Sequence, residues 1–153
     1  MPPLEKLVSG GQTGADRAAL DFAIEHGIPH SGWCPKGRTA EDGTIPQKYN
    51  LTETPGAEYP QRTDWNARDS DGTVIFSIKP KLTGGSKETV EFAQKYSKPH
   101  IHICTETKNP GETLRNFISS NQIRVLNVAG PRASEEPGIA DFVRTVLAAA
   151  LLS

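Results

Sequence analysis

Cysteine is scarce: the 153-residue chain holds two, Cys34 and Cys104. Two thiols in unrelated contexts exclude a disulfide scaffold and a cysteine-built metal cluster, and they point to a reducing, cytoplasmic compartment. Long apolar runs are missing. No stretch reaches the roughly 18 residues that cross a bilayer. The opening residues, MPPLEKLVSGG, lack the charged-then-apolar pattern of a secretory signal. An excess of one charge is missing too: 17 basic residues stand against 18 acidic ones, a net −1. That balance offers no electrostatic footprint for nucleic acid. No nucleophile elbow or HExxH appears, and neither GxGxxG nor GxxxxGK[ST] appears, which disfavours an NAD enzyme or a P-loop NTPase. The four histidines, His26, His30, His100 and His102, are scattered. His100 and His102 share a strand face without an acidic third ligand, so they read as surface or hydrogen-bonded residues. No catalytic residue and no metal ligand is assigned.

What is present is alternation. Hydrophobic residues make up 35% of the chain, enough for one domain spanning 1–153 with its own core. Leu4 to Ser9 reads as a strand. Thr13 to Asp16 has capping-box form, and Ala15, Ala19, Phe22 and Ala23 follow at helical spacing until Gly27 and Pro29. Thr73 to Ile78 is continuously apolar at its centre, the mark of a parallel strand buried on both faces. A helix with Val90, Ala93 and Tyr96 inward follows, then the strand His100 to Cys104. Asn109 and Pro110 start another helix with Leu114, Phe117 and Ile118 on its apolar stripe. Arg124 to Ala129 is the last strand. Ser134 can cap the last helix, whose apolar face carries Ile139, Phe142, Val143, Val146 and Leu147. This order predicts an α/β, Rossmann-like domain: a mainly parallel sheet flanked by helices. From His30 to Arg62 the chain is polar and rich in turn residues, with a short strand expected near Tyr49 to Glu53. A long irregular loop of this kind usually serves function.

Three glycine turns precede helices at strand ends: Gly10-Gly11-Gln12-Thr13-Gly14, Thr83-Gly84-Gly85-Ser86 with Lys87, and Gly130-Pro131-Arg132. In an open parallel sheet ligands sit beyond the carboxyl ends of the strands. Helix N-termini offer free amides, and glycine lets an anion approach the backbone. Any one turn can need glycine for geometry alone; three on one edge favour binding. Asp16 can cap its helix or meet a ligand hydroxyl or pterin-type N–H. Lys36, Gly37 and Arg38 place two cations in the irregular loop, able to fold over an anion or to stay solvated. Before the most apolar strand, Asp64 and Asn66 can cap a helix, while Asn66 and Arg68 can instead face a ligand. Trp33 and Trp65 suit packing more than stacking on a ring.

Taken together, SGGQTGADRAALDFA, GWCPKGR with AEDG after it, TDWNARDSDGTVIF, TGGSKETVEFA and NVAGPRASEEPGI resemble the molybdenum carrier family, the molybdenum cofactor carrier proteins. The matching segments run from Leu4 to about Phe142. The resemblance implies a Rossmann-like fold related to the lysine-decarboxylase-like, cytokinin-activating phosphoribohydrolases. It implies a homo-oligomer that binds molybdenum cofactor (Mo-molybdopterin, a pterin dithiolene with a terminal phosphate) and protects, stores or delivers it. Molybdoenzymes or cofactor-biosynthesis proteins are the implied partners. The enzymatic relatives carry PGGxGTxxE. Here Gly84, Gly85 and Glu91 match that pattern, but Lys87-Glu88 replaces its GT, and Arg68 lies closer to the strand than their arginine. These departures suit a carrier. The alternatives are a nucleoside-5'-monophosphate phosphoribohydrolase-like enzyme and a nucleotide-sensing module.

Overall fold

Val74, Ile75 and Phe76 are fully buried at the middle of the molecule, as their unbroken apolar run requires. The computed structural model describes residues 4–152. In chain order its strands are β1 (Lys6–Val8), β2 (His30–Ser31), β3 (Trp33–Cys34), β4 (Thr39–Ala40), β5 (Gly43–Thr44), β6 (Thr52–Glu53), β7 (Gly72–Ser77), β8 (His100–Cys104) and β9 (Val125–Ala129). The helices are α1 (Ala15–Glu25), α2 (Tyr59–Arg68), α3 (Gly84–Lys95), α4 (Pro110–Ser120) and α5 (Ile139–Leu151). The main sheet has five parallel strands in the order β2-β1-β9-β7-β8. Leu7 stands opposite Leu126, and Val74 opposite Val128. The fold class is thus α/β with a parallel sheet flanked by helices.

Helices α1, α4 and α5 cover one face. Ala15, Ala19, Phe22, Leu114, Ile118, Val143 and Leu147 pack there on Leu7, Phe76 and Leu126. At about 25 cal/mol per Å² of buried apolar surface, this cluster is the main stabilising term. Helices α2 and α3 pack together on the other face. The connection from β1 leads toward β2, and that from β7 leads the other way, toward β8. The sheet therefore has its switch point where β9 separates β1 from β7, and that is where a crevice opens at the carboxyl edge.

The segment expected to be irregular is more ordered than its composition suggested. β3 pairs in parallel with β6, and β4 with β5 forms a small antiparallel hairpin. β6 occupies Thr52–Glu53, inside the short strand expected there. A satellite cluster of Leu20, Cys34, Ile45 and Tyr49 sits beneath. Helix α2 corrects the reading of its own region. It begins at Tyr59 with Pro60 in its first turn, so Asp64 and Asn66 lie inside it and cap nothing. Only Asn66 and Ala67 are buried in this helix, so it lacks the apolar stripe that would have announced it. Two further caps differ. Helix α5 starts after Gly138, and the Ser134 hydroxyl donates to Glu41 instead. Helix α1 starts after Gly14 without a side-chain cap; the Thr13 hydroxyl donates to Glu41.

Candidate ligand-binding site

At the switch point lies a cavity of about 170 Å³, walled by the ends of β1 and β9, by α2, and by the first turns of α3. Of the residues singled out from sequence, Gly10, Gln12, Asp16, Asn66, Gly85, Ser86, Gly130 and Arg132 line it. All three glycine turns thus reach this edge, but they contribute unequally.

The first turn is largely consumed by the protein itself. The Gln12 amide donates to Asp16 Oδ2 at 3.3 Å, and the Thr13 amide to Gln12 Oε1 at 3.0 Å. Gly11 packs against Leu51 and Ile45, and Gly14 against the backbone of Pro131 to Ala133, both at positive φ. Gly10 has a sharper reason to be glycine. A Cβ there would stand 1.7 Å from Arg62 Nη1. The Arg62 guanidinium lies beside this backbone and pairs with Asp16 Oδ2 at 2.7 Å. Both partners are largely buried, with side-chain exposures of 13% and 6%. Arg62 Nε is buried without any acceptor among the described residues. A buried donor left unpaired costs about 1–3 kcal/mol.

The second turn is open. No side chain caps α3, and a Cβ on Gly85 would meet nothing within 4 Å. Gly85 and Ser86 line the cavity; Thr83 lines a neighbouring one, while Gly84 and Lys87 are exposed outside both. The third turn is a packing joint. A Cβ on Gly130 would stand 2.6 Å from the Ala15 Cβ and 2.7 Å from the Phe76 carbonyl oxygen. Arg132 Nε pairs with Glu135 at 2.9 Å and with Glu41 at 3.6 Å.

Lys36, Gly37, Arg38 and Arg68 lie away from the cavity. Arg38 is buried and donates to the carbonyls of Ile45, Leu51, Pro46 and Tyr49, so it staples the loop and its N–H groups are engaged away from the cavity. Lys36 and Gly37 are exposed on the same loop. Arg68 pairs with Asp69 and lies over the Trp65 ring. Trp33 and Trp65 pack edge to face, and the Trp33 indole donates to Asp69 at 2.8 Å. Asn66 reaches the cavity wall while its amide clamps the Trp33 backbone, accepting from its N–H at 2.8 Å and donating to its carbonyl at 3.0 Å. Sequence reasoning missed Arg62, Thr63, Glu88, Thr89 and Asn127 as wall residues. The signal for Arg62 was available only in space: it sits at the end of the segment read as a loop.

Glu41, at the tip of the β4–β5 hairpin, ties the rim together. It accepts from the Thr13 hydroxyl and from the Ser134 hydroxyl and amide, and its own amide donates to Gln12. The Ser134 and Thr13 hydroxyls hold its carboxyl below the usual carboxylate range. Beside it Asp42 pairs with Arg17 at 2.6 Å.

Residues 7–151 match the family described as "Circularly permutated YpsA SLOG family". The chain belongs to that family. A crystal structure of a "Putative molybdenum carrier protein" from Syntrophus aciditrophicus SB is 47% identical to the chain. The two superpose with a TM-score of 0.95 over 98% of this chain and 96% of the other. The resemblance drawn from the motifs is therefore shown at the level of family and fold. No curated protein matches the chain.

Proposed function

We propose that this SLOG-family chain is a cytoplasmic carrier of molybdenum cofactor, holding the pterin dithiolene and delivering it unchanged to molybdoenzymes or cofactor-biosynthesis proteins. The observation that carries this reading is the 47% identity, over nearly the whole of both chains, to a protein bearing the molybdenum carrier name. The cavity is compatible with it. Its wall offers the Arg62 side chain, the open backbone at Gly85, and the hydroxyls of Ser86 and Thr89. Ligand pockets usually enclose about 300–1,000 Å³. A cavity of about 170 Å³ encloses one part of such a ligand and leaves the rest over the open rim. We assign the binding role to Gly10, Gln12, Arg62, Gly85, Ser86 and Arg132, and assembly into a homo-oligomer is part of the same proposal.

A phosphoribohydrolase finds less support. Glu91, the residue that matches the relatives' glutamate, is exposed on α3 outside the cavity lining. A general acid or base must reach the reacting bond to within hydrogen-bond distance. The deciding experiment is anaerobic incubation with molybdenum cofactor, then gel filtration with metal and pterin analysis. Co-elution of molybdenum and pterin with the native chain, lost in Arg62→Gln, is the expected result. Absence of both from the protein peak would overturn the carrier reading.

A further inference from the structure

The cavity described above adjoins a second one of about 110 Å³, between the β7–α3 loop and the segment after β9. Ser86, Pro131 and Glu135 wall both, so the two form one continuous groove. Their chemistry differs. In the first, Asp16 pairs with Arg62 and Glu135 with Arg132, which leaves Glu88 as the acid without an ion pair among the described residues. The Thr63 and Thr89 hydroxyls donate to the Tyr59 and Gly85 carbonyls, so each has only acceptor capacity left. Asp16 Oδ1 has no donor among the described residues. Asp16 Oδ1, Glu88 and these two hydroxyls supply acceptors there, facing the donors of the uncapped first turn of α3. That suits a flat heterocycle with N–H groups on its edge better than it suits a phosphate monoester dianion, which has acceptors only.

The second cavity is lined by Lys79, Lys81, Thr83 and Ser86. Neither lysine forms an ion pair among the described residues. Its two acids are committed elsewhere. Glu136 accepts from the amides of Ile78 at 2.7 Å and Lys79 at 3.2 Å, and Glu135 pairs with Arg132 at 2.9 Å. Two lysines without ion pairs and two hydroxyl residues thus line a space large enough for a phosphate.

We propose that this second cavity is the phosphate subsite of a two-part ligand, whose heterocyclic head occupies the first cavity. The inference rests on the carrier reading and gives the cofactor a direction: ring toward Arg62, phosphate toward Lys79 and Lys81. The ligand class is a flat, N–H-bearing heterocycle with a phosphate on a short tether, since the two cavities share a wall.

The test uses two probes that do not require the intact cofactor. Inorganic phosphate and an unphosphorylated pterin are titrated separately into isotope-labelled protein, followed by amide NMR. Phosphate should shift Lys81, Thr83 and Ser86, and the pterin should shift Asp16, Arg62 and Thr89. Lys79→Ala/Lys81→Ala should weaken phosphate binding about tenfold or more and leave the pterin unchanged; Lys79→Arg/Lys81→Arg should restore the phosphate response. Both lysines are exposed, so the rest of the spectrum reports an intact fold. Phosphate shifts centred on Gly10 and Arg62, no saturable phosphate shifts, or equal weakening of both probes would overturn the subsite. Failure of the carrier reading shows separately, as no molybdenum retained by a protein whose phosphate response is intact.

Discussion

A Cβ on Gly10 would collide with Arg62, whereas one on Gly85 would enter open space, although both glycines line the same cavity. Gly85→Val should therefore fold normally and lose cofactor retention, because a branched side chain fills the approach to the α3 backbone. A folded Gly85→Val protein that retains cofactor would reject this turn as a contact. Gly10→Ala should instead destabilise by about 1–3 kcal/mol, read as a lower urea midpoint, because the Arg62 guanidinium must leave its bed beside Asp16. The glycines were readable as turn residues from their place between strand and helix. Which of them faced ligand space was not, because that depends on Arg62, which is distant in sequence from Gly10. Arg38 was misread for the same reason: a cation in a polar loop gives no sign that carbonyls will surround it.

At the scale of elements, the segment between β2 and α2 is held by polar ties more than by its small apolar cluster. Arg38→Ala should cost about 3 kcal/mol or more, since it leaves buried carbonyls unpaired. In a domain of this size that lowers the melting temperature by roughly 6 °C or more, measurable by calorimetry. Arg38→Lys should recover little, because one ammonium cannot span four diverging carbonyls. The hairpin tip obeys pH. Glu41 has a folded-state pKa below its ordinary 4.5, so it stabilises the fold above that value and loses this contribution as pH falls through the lower one. The native chain should exceed Glu41→Gln in thermal stability at neutral pH, and the gap should close on acidification. A gap that persists in acid would mean that Glu41 acts by shape and not by charge. Helix α2 and the short strands here escaped sequence reading on physical grounds. Two-residue strands carry no periodicity, and α2 turns polar residues to both the cavity and α3, where Asp64 holds Lys95 and Tyr96.

For the whole molecule, the sheet was readable where strands are buried on both faces. β7 showed as a continuous apolar run, β8 as alternation, and β9 as the last strand. The two-residue β2 carries too little pattern to be seen. The carrier reading makes a prediction at this scale: the protein releases its ligand unchanged. Incubation with nucleoside monophosphates should give no free base above background for the native chain or for Glu91→Ala, by chromatography. Base release abolished by Glu91→Ala would make it an enzyme. The place of β9 also bears on how the protein comes into being. β1 and β7 never touch; each pairs only with β9 on its inner side, and β9 starts at Val125. Until that segment exists, the sheet is two separate pairs with their inner edges unprotected, and parallel pairing across so long a separation is slow. The groove, whose floor is Asn127 to Gly130, cannot exist earlier either. Under the proposed function, cofactor can therefore load only after this segment has been made.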